Sequence, residues 1–333
     1  MSFEKYLISL ADNLDKLNLS TEANLIDSII GNTSEFKIIK NSCIIASGQF
    51  QDKKCLFKNR DRGYKPKVKV CHRVVNGTEI IYLEDKVTDW CEGLNEYGIG
   101  VVNTTLDILS DQRQGTEEED DDISKKPEDK KRMIQALSQK KITEVVRYIT
   151  MYLNGLEGHN LVANSEVTFA IEEPEDTDTF TVTKLEHEKL LVRTNHKNFF
   201  KNIGKSEVDE TVDYKSSISR YNQAVKILNK VKEPEKIAPA IYGAKRKDLD
   251  DPNNMIKDTD KLSTTSQMVL NLSDLEFCLY LIPNKIDFIA YEVKLPKDYQ
   301  PKIKFKLFQY SELNKDGSFE VYQIDPPKKI EKM

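Results

Sequence analysis

Cysteine, histidine and tryptophan are scarce in this 333-residue chain, which has five, four and one of them. The cysteines, Cys43, Cys55, Cys71, Cys91 and Cys278, form no CxxC pair and stand at no His–Cys ligand spacing. That excludes a disulfide framework and a zinc site as expectations and points to a reduced, cytoplasmic setting. No run reaches the roughly eighteen apolar residues of a membrane span. The start, Met1 to Lys5, lacks the basic opening and apolar core of a secretory signal. There is no GxGxxG, no GxxxxGK and no internal repeat, so no nucleotide-binding loop is expected. The formal charge of −5 leaves no basic footprint for nucleic acid. What remains is a chain 38% apolar and 32% charged, long enough for one large domain or two ordinary ones.

Taken in order, residues 1 to about 36 carry Leu7, Leu10, Leu14 and Leu17 at helical spacing. A second apolar set, Leu25 to Ile30, follows the possible cap Ser20. Two short amphipathic helices are predicted, either a docking module or a propeptide over 1–42. Val68 to Val75 and Glu79 to Leu83 are strands turned at Asn76-Gly77, a strong hairpin signal. Asn95 to Gly98 is a turn and Ile99 to Leu106 a buried strand, with Gly93, Gly98 and Gly100 allowing bends or close approach. Residues 110 to 132 form a polar loop around the acidic run Glu117 to Asp122. A helix is predicted around Ile142 to Leu153 and another over Ser219 to Val231. Strands are predicted at Val167 to Glu172, Thr179 to Leu185, Leu190 to Thr194, Thr264 to Leu272, Glu276 to Pro283 and Ile286 to Val293. Lys232 to Asp260 is a Pro- and charge-rich connection, and residues from about 324 to 333 form a tail. This order of strands and helices suits a layered α+β domain.

The stretch from Asn41 to Asp61 organises the rest. Cys43 opens an apolar strand, Ile44-Ile45-Ala46. Gly48 to Lys54 holds the turn, and Cys55-Leu56-Phe57 begins a return strand that brings Lys58-Asn59-Arg60-Asp61 back beside Cys43. Two readings fit: an ordinary hairpin with a buried thiol, or a nucleophile set next to groups that manage its proton.

Several spaced pieces resemble one family. Cys43 followed by Lys58-Asn59-Arg60-Asp61, then Gly93-Leu94-Asn95-Glu96-Tyr97-Gly98-Ile99-Gly100 with Asn103 after it, then Thr194-Asn195 and Ser219-Arg220, come in the order found in cysteine N-terminal-nucleophile hydrolases. That family includes penicillin V acylases, bile salt hydrolases, acid-ceramidase-like amidases and isopenicillin-N acyltransferases. The resemblance covers roughly residues 43 to 293. It departs at Lys58, where the family has arginine, and at Ile44, where a small polar residue is common.

The resemblance implies a four-layered αββα fold with two stacked, mainly antiparallel sheets. It implies hydrolysis of a linear amide, or transfer of its acyl group, through a Cys43 thioester after self-cleavage between Ser42 and Cys43. Asp61 would hold the new α-amine, and Arg220 would sit near the sulfur. Asn195 and Asn103 would donate to the oxyanion. A small-molecule amide is the expected partner, with no metal or organic cofactor and with a homo-oligomer possible. The alternative is a catalytically silent member of the fold that binds a partner through its N-terminal helices. Cys55 is the rival nucleophile, whereas His196 is not required as a base.

Overall fold

Alternation along the central hairpin fixes what the rest of the fold must supply. β1 (Ile44–Phe50) and β2 (Lys53–Arg62) pair antiparallel from Ile44↔Asn59 to Phe50↔Lys53. They turn at Gln51-Asp52, with Gln51 at φ 51°. Successive side chains on a strand point to opposite faces, and both faces of this hairpin are buried. Ile44, Ala46 and Phe57 pack on one side, Ile45 and Leu56 on the other. The hairpin therefore needs a layer above and a layer below.

The computed structural model describes residues 43–106, 127–150, 156–173, 180–186, 190–196, 198, 212–244, 253–259, 262–312, 314 and 318–327. The expected propeptide over 1–42 and the run Glu117 to Asp122 lie outside the described residues.

The hairpin sits in a seven-stranded sheet of order β10-β1-β2-β11-β12-β14-β15. Its other members are β10 (Leu190–Arg193), β11 (Ser263–Asn271), β12 (Glu276–Leu281), β14 (Lys304–Tyr310) and β15 (Val321–Ile324). The second sheet has eight strands, in the order β13-β3-β4-β5-β6-β7-β8-β9. These are β3 (Lys67–Val75), β4 (Thr78–Asp85), β5 (Trp90–Asn95), β6 (Gly100–Thr104), β7 (Gly158–Ala163), β8 (Val167–Glu173), β9 (Thr181–Glu186) and β13 (Phe288–Lys294).

Ile45, Leu56, Val70, Leu83, Val102 and Met268 form the core between the sheets. On the outer face of the first sheet, Ile44 and Phe57 pack with Ala224, Leu228 and Ile241. Those three come from α3 (Val212–Leu228) and α4 (Ile237–Tyr242). On the outer face of the second sheet, Ile80 and Val101 pack with Met133, Leu137, Val145 and Ile149. These belong to α1 (Pro127–Leu137) and α2 (Ile142–Thr150). Each such side chain contributes about 1.5–3 kcal/mol by leaving water. The result is the four-layered αββα arrangement of an α+β fold.

Several details differ from the sequence reading. α1 begins at Pro127, inside the stretch read as polar loop to 132; proline at the first helical position and Glu128-Asp129 in the first turn favour that start. α3 begins at Val212, so Arg220 lies in its middle and not at its opening. α4 falls in the stretch read as a connection, and β14 and β15 follow the last predicted strand. The sheets are not wholly antiparallel. β12 pairs β14 in parallel and β13 pairs β3 in parallel, because β13 leaves the first sheet's edge order for the second sheet. At Gly93 a Cβ would come within 2.2 Å of the Ile81 carbonyl oxygen, so close strand approach requires glycine there. Gly98 turns the β5–β6 connection at φ 69°.

Candidate active site

Lys58, Arg60 and Arg62 alternate along β2 and so face the layer between the sheets, while Asn59 and Asp61 face α3. All five are buried. Such cations cannot enter a protein interior without partners, and the second sheet supplies them. Lys58 Nζ donates to Glu92 Oε2 at 2.7 Å, and Arg60 also donates to Glu92. Arg60 and Arg62 flank Asp85 Oδ2 at 3.7 and 3.5 Å, and the Tyr64 hydroxyl donates to the same oxygen at 2.8 Å. Three cations thus face two carboxylates, and Cys43 stands beside the excess.

Cys43 is 2% exposed. Arg62 Nη1 lies 3.3 Å from its sulfur and also donates to the Asp61 carbonyl at 2.8 Å. The thiol itself is directed at that carbonyl, 3.9 Å away. Burial pushes the thiol up, but Arg62 and then Lys58 outweigh it, and the Cys43 pKa lies below the ordinary value. The other four cysteines go the opposite way, all chiefly through burial. Cys71 rises to about 11 and Cys278 to about 12. Burial pushes the Lys58 ammonium far down, and Arg60 to about 10. Arg62 is pushed up: burial opposes its charge, but the nearby sulfur, Tyr64 and Asp85 prevail. Arg62 is therefore the firm charge beside the sulfur, which decides among the nearby cations that the sequence left open. The signal was present in Lys58-Asn59-Arg60-Asp61-Arg62, where cations alternate along one strand.

Asp61 presents its carboxylate to the outer layer. Oδ1 accepts from Asn59 Nδ2 at 2.8 Å and from Thr264 Oγ1 at 2.7 Å. Oδ2 is buried and has no hydrogen-bond partner among the described residues. Burial raises this carboxyl to about 6, against the opposing pull of Arg220, Thr264, Lys257 and Arg62. Thr264 and Lys257 were not singled out from the sequence. They arrive from β11 and the segment before it, and Lys257 N in turn donates to Thr264 Oγ1 at 2.7 Å.

Arg220 reaches from α3 to the Cys43 carbonyl oxygen at 3.2 Å and to Asn195 Oδ1 at 3.0 Å. It meets the backbone of Cys43, whereas Arg62 meets the sulfur. Because a guanidinium only donates, its contact fixes the Asn195 amide with oxygen toward Arg220. Asn195 Nδ2 then faces Thr104 Oγ1 at 3.1 Å and the Thr105 carbonyl at 2.9 Å. Asn103 stands further along, tied to Lys58. Its Oδ1 accepts from Lys58 Nζ at 3.1 Å and Trp90 Nε1 at 2.7 Å. Both of these donate only, so its Nδ2 must point away from them.

The Gly93–Gly100 segment has a structural task. Asn95 Nδ2 caps the Leu137 and Gln139 carbonyls at 2.9 and 2.8 Å, and its oxygen takes the Tyr97 and Ile99 amides. His196 Nδ1 lies 3.0 Å from both Thr194 Oγ1 and Ser217 Oγ. Cys55 pairs with Gly48 near the turn, six residues and about 20 Å of strand from Asp61. Among the described residues, no group of three His, Cys, Asp or Glu is placed to hold a metal ion. No helix there is long and apolar enough to cross a membrane.

No protein-family model matches this sequence, and no curated protein matches it. Among solved structures, the chain is similar to penicillin V acylase from Agrobacterium tumefaciens, with a TM-score of 0.39 and 10% identity. The match covers 72% of this chain and 85% of that one. The layers and the site described above rest on this chain's own geometry.

Proposed function

We propose that this chain is a cysteine amidohydrolase of the N-terminal-nucleophile type, acting on a linear amide of a small molecule through a thioester on Cys43. The observation that carries the reading is the contrast among five buried cysteines. Among the described residues only Cys43 has a guanidinium at its sulfur, 3.3 Å away, and of the five thiols only its pKa is lowered. A thiolate is the attacking form of cysteine, and catalytic sites are where such shifts concentrate.

In the proposed reaction the Cys43 sulfur attacks the amide carbonyl carbon, and the thiol proton passes to the Cys43 α-amine. The tetrahedral oxyanion takes hydrogen bonds from Asn103 and from Asn195, whose Nδ2 must leave the Thr105 carbonyl to donate. The amine returns the proton to the leaving nitrogen, the C–N bond breaks, and a thioester remains. Water then attacks the thioester, gives its proton to the same amine, and releases the acid and the thiol. Arg62 holds the sulfur's negative charge. Arg220 positions the Cys43 backbone and the Asn195 amide together. The unpartnered Asp61 Oδ2 is an acceptor of the right sign for an ammonium formed at Cys43.

An α-amine is available only if the Ser42–Cys43 bond has been cut. In the proposed cleavage the thiol attacks the Ser42 carbonyl, the acyl group moves from nitrogen to sulfur, and water hydrolyses the resulting thioester. Intact mass tests this directly. Wild-type protein should mature to a chain beginning at Cys43 and release a dialysable amine from amide substrates. Cys43→Ala should stay full length and inactive. A wild-type protein that keeps Met1 to Ser42 joined to Cys43 while hydrolysing amides at full rate would overturn the α-amine as base.

A further inference from the structure

We infer that the outer face of the second sheet holds a binding pocket for a small organic dianion, separate from the Cys43 site. A cavity of about 430 Å³ lies over β3, β4 and β13, with Lys130 of α1 on its wall. That volume falls in the range of about 300–1,000 Å³ usual for small-molecule sites. The face is the one turned away from Lys58, Arg60 and Arg62.

The lining has five cations and three carboxylates. Each carboxylate is already answered. Lys69 and Lys294 both pair with Glu292, and Lys130 bridges Glu84 at 2.7 Å and Asp89 at 3.3 Å. Arg73 and Lys86 are left over. Arg73 donates to the Tyr82 hydroxyl, and its guanidinium carbon lies 4.9 Å from that ring's centre. A neutral phenol satisfies a hydrogen bond but not a charge. Arg73 Nε is buried with no partner among the described residues. Lys86 is exposed and has no ion pair among them. At the pocket's lining, Cys71 Sγ lies 3.8 Å from Glu84 Oε2. Burial pushes this thiol up to about 11, so it adds no negative charge.

Among the described residues two positive charges thus stay uncompensated in a concave site, on a chain whose formal charge is −5. A cleft whose lining carries a net excess of one sign concentrates ions of the other sign. The arginine fork suits carboxylate and phosphate oxygens. A phosphate monoester and a dicarboxylate share the required chemistry: two negative charges on a compact, polar body. The inference stands independently of the amidase reading, since none of these residues serves Cys43.

The test is calorimetric titration of the full chain with inorganic phosphate and, separately, with succinate, at ionic strength matched by sodium chloride. Saturable binding of either supports the pocket and identifies which dianion it takes. Arg73→Gln should weaken that binding about tenfold or more, as loss of a charged hydrogen bond does. Lys86→Gln, an exposed change that leaves the fold alone, should weaken it a few-fold. Cys43 reactivity should be unchanged in both variants. Heat that merely tracks salt, or saturable binding equally tight in both variants, would overturn the assignment.

Discussion

Cys43 and Cys55 belong to one hairpin and are 2% and 1% exposed, yet their thiols move in opposite directions. Burial alone raises a thiol pKa, and at Cys55 that is the main cause, helped by Cys278 and Asp274. At Cys43 the same penalty is present and is overcome by Arg62 and Lys58. The difference is one of strand position. Cys43 lies at the open end of the hairpin, where β2 delivers its alternating cations, while Cys55 lies at the turn end among apolar side chains. Depth of burial does not make a reactive cysteine; the charge buried with it does.

The largest expected effect tests that contrast by deletion. Cys43→Ala should lower amide hydrolysis by about a thousandfold or more, as removing a nucleophile does, whereas Cys55→Ala should leave turnover within about twofold. Peptide mapping of an electrophilic probe gives the same answer without a substrate. A label found mainly on Cys55 reverses the assignment.

Asp61→Asn comes next. Loss of a group that orients the reacting centre should cost about a hundred- to a thousandfold in rate. Stability should move the other way. The folded-state pKa of Asp61, about 6, lies above its usual value, so the native state binds a proton that the unfolded state has released. The Asp61 contribution to wild-type stability should therefore fall as pH rises from about 4 to about 6. Above that window the buried carboxylate costs stability on the order of 2–3 kcal/mol, from the size of the shift. Thermal unfolding at pH 8 should show Asp61→Asn more stable than wild type, with the gap closing by pH 4. An Asn variant that is less stable at pH 8 would show that the carboxylate is fully compensated.

Arg62→Gln sharpens the comparison by making Cys43 resemble Cys55. Its thiol pKa should rise, and the neutral-pH rate should fall about tenfold or more, with much of the loss recovered as pH is raised. Arg62→Lys should restore part of it. A rate deficit independent of pH would mean that Arg62 acts on something other than the sulfur.

The smallest effect concerns packing at the other end of the hairpin. Cys55→Ala should cost about 1 kcal/mol in urea unfolding, a modest core truncation, with no change in the pH dependence of Cys43.

Much of this architecture was legible in the sequence. Asn76-Gly77 announced its hairpin, and Asn76 and Gly77 both take positive φ there. Short apolar, strand-like runs gave β1, β2, β11 and β12. The ordered pieces around Cys43, Asp61, Asn195 and Arg220 pointed to one site, and the chain brings Cys43, Arg220 and Asn195 into a single hydrogen-bonded set. What stayed hidden depended on tertiary packing. α1 was masked by its charged composition, because only Met133, Ala136 and Leu137 of its eleven residues are fully buried, with Ile134 packing at the edge of the core. The parallel pairings of β13 and β14 arise from long-range strand exchange, for which local propensity has no signal. The sequence left the second cation open among Lys58, Arg60 and Arg62, because only strand geometry puts the residue after Asp61 at the sulfur. Asn103 faces Lys58 and Trp90, partners that its sequence neighbours do not reveal.

The most direct test is a pH titration of thiolate ultraviolet absorbance, taken as the difference between wild-type protein and Cys43→Ser. It needs no reagent to reach the buried sulfur and no substrate. We expect a single transition below the ordinary thiol range of about 8.5, moving upward in Arg62→Gln and unmoved in Cys55→Ala. A Cys43 transition at or above that range in wild-type protein would contradict the claim that this hairpin holds an activated nucleophile.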